Sequence, residues 1–309
     1  MPIPPTRPLT IWRLTDGKPG HEKQTLGLAR ALLRARPGEC FAVPVASRWR
    51  SLAHWLSGRF PEGKGLADPD LILAAGHATH PALLAARRAR GGLAVVHMKP
   101  SLPLSLFDLC VIPEHDDPPL GPNVIPVRGV LNDVVAAGTH LPGKGLFLVG
   151  GASANSRWDD LSVRQAVAAI ARACPDVAWT LTTSRRTPAT FLADFLEPPG
   201  NLRLLPHTET EPGWLERALA EAGQVWVSED SVSMLYEALT AGAAVGLLRL
   251  ADARDSRVRR GVERLVSEGW VTPYERWRPG TALATGPGGF NESDRVAGLI
   301  LDKLSHGQA

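Results

Sequence analysis

Two strand-to-helix junctions, Thr15-Asp16-Gly17-Lys18-Pro19-Gly20-His21 and Ser228-Glu229-Asp230-Ser231-Val232-Ser233-Met234, decide how this chain is read. Each follows an apolar run of strand character, residues 10–14 and 224–227, and each opens a helix-period segment. Each therefore sets polar atoms at a helix N-terminus, where backbone N–H groups lack intrahelical partners and attract anions. The pair predicts two half-sites of nucleotide-binding type facing one cleft.

Outward from the first junction, strand and helix signals alternate. Strands are expected at 10–15, 40–46, 70–76, 93–98 and 109–113, helices at 21–35 and 80–90, and an amphipathic stretch at 49–58. A connecting stretch from His115 to Leu141 is proline-rich, with a short strand allowed at 124–128. The alternation then restarts, with strands at 145–150, 177–183, 201–206, 224–228 and 244–250. Helices are expected between them at 160–173, 188–196, 214–222, 231–241 and 255–268. Such alternation means parallel strands with crossover helices. The expectation is an α/β fold of two Rossmann-like domains, 1–140 on the acceptor side and 141–309 on the nucleotide side, that bind ligands beyond the carboxyl ends of their strands. A last helix at 292–304, with Asn291 as N-cap, is free to fold back on either domain, a crossing to the first included.

Composition excludes several classes. At 309 residues, 44% hydrophobic and 21% charged, the chain is long enough for two ordinary cores. Its net charge of +3 comes from 34 basic and 31 acidic residues, with no basic tract of the kind that grips nucleic acid. Cys40, Cys110 and Cys174 lie far apart, with no C-x-x-C and no histidine at ligand spacing, so neither a disulfide framework nor a zinc site is indicated. A reducing, cytoplasmic setting is the simplest reading. No run approaches the roughly 18 apolar residues of a membrane span. The 30 glycines and 27 prolines punctuate periodic segments without a repeat. Trp49, Trp55 and Phe60 among Arg48, Arg50 and Arg59 allow an interfacial anchor; the core-packed face of a helix is the favoured reading.

At the first junction, Gly17 and Gly20 permit tight turns, Pro19 stiffens the loop, and Lys18 can meet a phosphate or a carboxylate. His21 would sit at the helix mouth, where the positive dipole end favours a neutral imidazole suited to general-base work. Asp16 could orient that ring, bind a hydroxyl or act as the base itself. The bland alternative is a capping aspartate beside a solvated histidine.

The second half offers Gly150-Gly151-Ala152-Ser153 after a strand, without the full G-x-G-x-x-G spacing of a nicotinamide site. Thr182-Thr183-Ser184-Arg185-Arg186-Thr187-Pro188 places hydroxyls and two guanidiniums before a helix start, a fair diphosphate clamp or else an exposed basic turn. Ser231 and Ser233 suit phosphate; Glu237 suits the two ribose hydroxyls. Glu229 and Asp230 would repel a diphosphate, and suit helix caps or contacts with sugar hydroxyls or base better.

Together with Gln24, Pro113-Glu114-His115-Asp116 and the motifs above, the chain resembles the bacterial branch of the mitochondrial-fission "elongated mitochondria" family, over nearly its whole length. That family is similar to the GT-B superfamily of nucleotide-sugar glycosyltransferases, with two Rossmann-like domains. Gly20-His21 is similar to the glycine-rich loop and histidine of the peptidoglycan N-acetylglucosaminyltransferase, and Glu237-Ala238 with Ala241-Gly242 to its ribose-binding segment. Glu229-Asp230-Ser231 departs from it where a glycine-rich phosphate loop would stand.

The resemblance implies a metal-independent glycosyltransferase with a nucleotide-diphosphate sugar as donor and no further cofactor. His21 or Asp16 would be the base, Gly150, Gly151, Ser184, Arg185, Arg186, Ser231, Ser233 and Glu237 would hold the donor, and Lys18, His115 and Asp116 would face a lipid or glycan acceptor. Two other readings stay open. One is a non-catalytic scaffold, since plant members are associated with recruiting a dynamin-related protein; the other is a nucleotide-sugar epimerase on the same fold.

Overall fold

Short unbroken apolar runs such as Leu71-Ile72-Leu73-Ala74-Ala75 are buried at every position. This is the signature of parallel strands covered on both faces. The structure, a computed structural model, describes residues 7–136, 139–152, 157–250 and 256–306. It divides into a first unit, the chain up to Asp133 with the segment from Glu292 onward, and a second unit, Val134–Asn291.

In chain order the first unit contains β1 (Leu9–Thr15), α1 (Pro19–Ala35), β2 (Gly38–Pro44), α2 (Arg48–Ser57) and β3 (Leu71–Ala75). It continues with α3 (His80–Arg90), β4 (Leu93–His97), β5 (Leu109–Pro113) and β6 (Val124–Val127). All strands are parallel, in the order β2-β1-β3-β4-β5-β6. Strand direction of connection reverses between β1 and β3, so the topological switch point lies there.

The second unit contains β7 (Leu141–Leu148), α4 (Asp160–Ala173), β8 (Ala178–Thr182), α5 (Thr190–Ala193), β9 (Leu202–Leu205) and α6 (Trp214–Glu221). After these come β10 (Ala222–Ser228), α7 (Val232–Ala241), β11 (Ala244–Leu248), α8 (Arg257–Ser267) and β12 (Val271–Pro273). Its order is β12-β11-β10-β7-β8-β9, again all parallel. Counted from β7 this is the 3-2-1-4-5-6 arrangement of dinucleotide-binding folds, with its switch point between β7 and β10.

The last helix, α9 (Glu292–His306), packs on α1 of the first unit. Val296, Ala297, Ile300 and Leu304 join Leu28 and Leu32 in one core cluster. The entry to α9 is fixed by polar bonds as well: Ser293 Oγ donates to the Asn132 carbonyl at 2.6 Å, and Glu292 accepts the Arg128 amide at 3.0 Å.

Three sequence expectations change. The helix expected over 188–196 shrinks to the four residues of α5. Only Phe191 and Phe195 of that stretch are buried hydrophobics, Leu196 is 85% exposed, and Pro198-Pro199 stops any extension. The edge strand β12 carries no periodic signal because it has three residues. The favoured core-facing reading of the aromatic stripe at 49–60 fails at Trp49. Phe60 is buried and stacks on Trp12 with ring centroids 5.8 Å apart, but Trp49 is 77% exposed. A helix of this length turns only one face to α3, and Trp49 is on the other. Ser153, expected in the second glycine turn, lies outside the described residues.

Candidate functional site

At the end of β1 the chain turns sharply through Gly17, whose φ of 76° suits glycine. Lys18 then takes the N-cap position of α1, with Pro19 in the first helical turn. Side chains hold the loop: Asp16 Oδ1 accepts the Lys18 amide at 3.2 Å, and Glu22 accepts the Gly17 amide at 3.0 Å. The other oxygen, Asp16 Oδ2, lies 2.9 Å from His21 Nδ1. A carboxylate only accepts, so Nδ1 carries a proton, and in the neutral tautomer this contact selects, Nε2 carries the lone pair. Asp16's side chain is 5% exposed and that of His21 21%, so the acid is buried behind an accessible ring. Lys18 is exposed beside them.

The ring rests on the turn after β3. Gly76 has a φ of 83°, and a Cβ there would collide with the His21 ring. The expected Asp16–His21 pair thus lies at the β1/β3 switch point. His115 and Asp116 are elsewhere on this edge, in a short 3-10 turn after β5. Three strand intervals separate β1 from β5, about 14 Å at ordinary spacing.

Gly76 and three buried groups of this edge are absent from the sequence reading. His97 ends β4 at 1% exposure, with neither ring nitrogen hydrogen-bonded; burial, and secondarily the Arg13 charge, push it down to about 3. Arg13, 9% exposed, bonds the Glu22 carbonyl at 3.0 Å and Thr25 Oγ1 at 3.3 Å, tying β1 to the first turns of α1. His80, at the start of α3, is lowered to about 4, by burial first and then by His77 and Arg48. The string Ala75-Gly76-His77, another apolar strand running into glycine and histidine, is the signal that could have flagged the turn after β3.

At the second unit's switch point the expected residues are brought together, but largely bonded to one another. Asp230, whose side chain is fully buried, accepts the Gly151 amide at 2.9 Å and the Ser228 hydroxyl at 2.7 Å, and pairs with Arg186 at 2.8 Å. Ser228 Oγ in turn accepts the Gly150 amide at 2.8 Å. A Cβ on Gly150 would strike the Asp230 carboxylate, and one on Gly151 the Arg186 backbone. Thr187 Oγ1 donates to the carbonyls of Val149 and Gly150 and accepts the Ser184 amide at 2.8 Å, while Ser184 Oγ accepts the Arg186 amide at 3.1 Å. The loops after β7, β8 and β10 form one knot around a carboxylate. Arg185 is exposed and bonds no other described residue.

Glu229 turns to β11. Its side chain accepts the Leu250 amide at 3.2 Å and lies 3.5 Å from Arg249, within a cluster that includes Glu263 and Glu275. Those carboxylates, Glu263 first, raise the Arg249 guanidinium above its usual range. The expectation that Glu229 and Asp230 cap the following helix is therefore corrected. Ser231 is the N-cap of α7 and no side chain caps it. Ser231 is 6% exposed, Ser233 is exposed and donates to Glu237 at 2.8 Å, and Glu237 is 1% exposed. A small cavity of about 140 Å³ lies at the opposite end of α7, against Leu239, Gly242, Trp270 and Phe290.

The sequence model of the family described as mitochondrial fission ELM1 matches residues 19–304. The chain belongs to the mitochondrial fission ELM1 family. No curated protein matches it. Among solved structures it is similar to a protein assigned as UDP-N-acetylglucosamine 2-epimerase from Listeria monocytogenes, with a TM-score of 0.56, 15% identity, and coverage of 97% of this chain and 90% of that one. It is also similar to the UDP-GlcNAc 2-epimerase of Neisseria meningitidis bound to UDP-GlcNAc (TM-score 0.52, 14% identity, 96% and 100% covered) and to MurG of Acinetobacter baumannii (0.50, 15%, 98% and 93%). At these identities the likeness concerns the fold, which is GT-B. The ELM1 match spans both junctions apart from Thr15, Asp16, Gly17 and Lys18, which precede it.

Proposed function

We propose that the chain binds a nucleoside-diphosphate sugar through its second unit and acts as a metal-independent glycosyltransferase, with Asp16–His21 of the first unit as the base. The observation that carries the reading is the 2.9 Å contact that fixes His21 Nδ1 to a buried carboxylate, in a ring that is 21% exposed and whose Nε2 bonds no other described residue. An imidazole so held is oriented for one proton transfer and its cation is stabilised once formed.

In this reading Nε2 takes the proton of an acceptor hydroxyl as the oxygen attacks the anomeric carbon. The bond to the diphosphate breaks with its electron pair on the leaving oxygen, and the sugar inverts. The uncapped amides at the start of α7, with Ser231 and Arg185, would receive the charge that develops there. The name of one structural neighbour, bound to UDP-GlcNAc, supports uridine nucleotides as first ligands to try.

Titration with uridine and guanosine diphosphates is expected to raise the melting temperature, because a ligand bound only by the native state shifts unfolding by mass action. Ser231→Asp, which puts a negative charge at the same helix end, is expected to abolish the shift. A second reading, a non-catalytic scaffold, is favoured by one observation: Glu237 is 1% exposed and already accepts Ser233, so ribose hydroxyls would have to displace that bond. Absence of a shift with either nucleotide would favour the scaffold. Conversion of a nucleotide sugar without any acceptor would instead point to epimerase chemistry.

A further inference from the structure

On the outer face of helix α2, large exposed apolar side chains and exposed cationic side chains coincide. Trp49, Ala53 and Leu56 recur at helical spacing along its outer side, Trp49 at 77% and Leu56 at 68% exposure. The inner side is accounted for: Ser51 is 2% exposed, Arg88 of α3 donates to the Trp55 carbonyl at 3.1 Å, and His54 faces Glu62 at 3.3 Å. Arg48, Arg50 and Arg59 flank the apolar stripe, all exposed. No acidic residue occurs between Glu39 and Glu62.

The contrast with other arginines is informative. Arg30, Arg87, Arg90, Arg186, Arg249 and Arg295 each pair with a carboxylate, whereas Arg48, Arg50 and Arg59 pair with none among the described residues. An exposed tryptophan and leucine bordered by uncompensated guanidiniums match a surface that offers apolar depth and negative charge together. A second copy of the chain is a poor occupant. A two-fold contact would lay the same three arginines against one another.

We propose that the outer face of α2 docks the protein on anionic lipid bilayers, with Trp49 and Leu56 entering the interface and Arg48, Arg50 and Arg59 meeting lipid phosphates. This does not rest on the glycosyltransferase reading, and its failure would leave that reading untouched.

The test is co-sedimentation of the full chain with vesicles of equimolar phosphatidylglycerol and phosphatidylcholine, and with phosphatidylcholine alone. Partition is expected on the anionic vesicles only, weakening as salt is raised. Trp49→Ala is expected to weaken it about tenfold through lost apolar burial. The double variant Arg48→Gln/Arg50→Gln is expected to weaken it about thirtyfold, at roughly fivefold for each charge removed near the surface. These residues are exposed, so the variants should melt with the parent. Absence of partition by the parent chain overturns the proposal, as does partition unchanged by Trp49→Ala. Sedimentation velocity showing a dimer that Trp49→Ala dissolves would overturn it in favour of self-association.

Discussion

The two units place an aspartate at the same topological address and use it in opposite ways. Each sheet has its switch point at the carboxyl edge, β1/β3 in the first unit and β7/β10 in the second. In the first, Asp16 is buried but its partner His21 is accessible, and the second ring nitrogen bonds no other described residue. In the second, Asp230 is fully buried and saturated by the Gly151 amide, the Ser228 hydroxyl and Arg186. Asp16 is shared between the Lys18 amide and an accessible ring, whereas the three partners of Asp230 lie within the loops that it ties together. The negative charge of Asp230 is thereby paired with Arg186 within these loops, a partnership that the bare sequence does not show.

The strongest way to break this comparison is Asp230→Ala. It removes a buried carboxylate and strands three donors, so urea denaturation is expected to show a loss of about 3 kcal/mol. A loss under about 1 kcal/mol would mean that the loop knot is not holding the second unit. Gly150→Ala should follow in size, since its Cβ has only the Asp230 carboxylate to occupy. A melting temperature several degrees below the parent is expected, about 2–4 °C for each kcal/mol in a chain of this size.

Asp16→Asn sharpens the other side. The pair is partly solvated, so stability should change by less than about 1 kcal/mol while turnover of a nucleotide sugar falls at least about a hundredfold. Equal turnover in Asp16→Asn and the parent would remove the dyad from the mechanism. A pH dependence is also expected from the first unit's edge. His97 and His80 are held at about 3 and about 4, below the ordinary value of 6.5, because burial disfavours their charged forms. The unfolded chain therefore binds more protons between those values and 6.5. Stability should be complete above that range and decline as pH falls from about 6.5 toward 4. His97→Gln should flatten this slope in denaturant titrations at successive pH values; an unchanged slope would place its origin elsewhere.

Much of this was legible in the sequence because parallel strands advertise themselves. Leu71–Ala75 and Ala244–Leu248 are apolar at every position, and the glycines that follow β1 and β7 mark where strands turn. Asp16 orienting His21, five residues on across a turn into a helix, was one of the roles that the spacing allowed, and the 2.9 Å contact selects it. What could not be read was which polar groups would consume each other. Arg186 looks like an anion clamp until Asp230, 44 residues later, is found against it. Glu229 looks like a helix cap until Arg249 and Leu250 claim it. Trp49 follows the same logic from the other side, since periodicity shows that a face exists but not which face is covered. Such choices are set by contacts between distant segments, which residue spacing does not encode.

Hydrogen–deuterium exchange of the full chain with and without uridine diphosphate tests the central contrast most directly. The account predicts that the amides of Val232, Ser233 and Met234 become protected on nucleotide addition, while Gly150 and Gly151, already bonded in the free protein, do not change. Nucleotide-induced protection at Gly150–Gly151 with none at the start of α7 would contradict it.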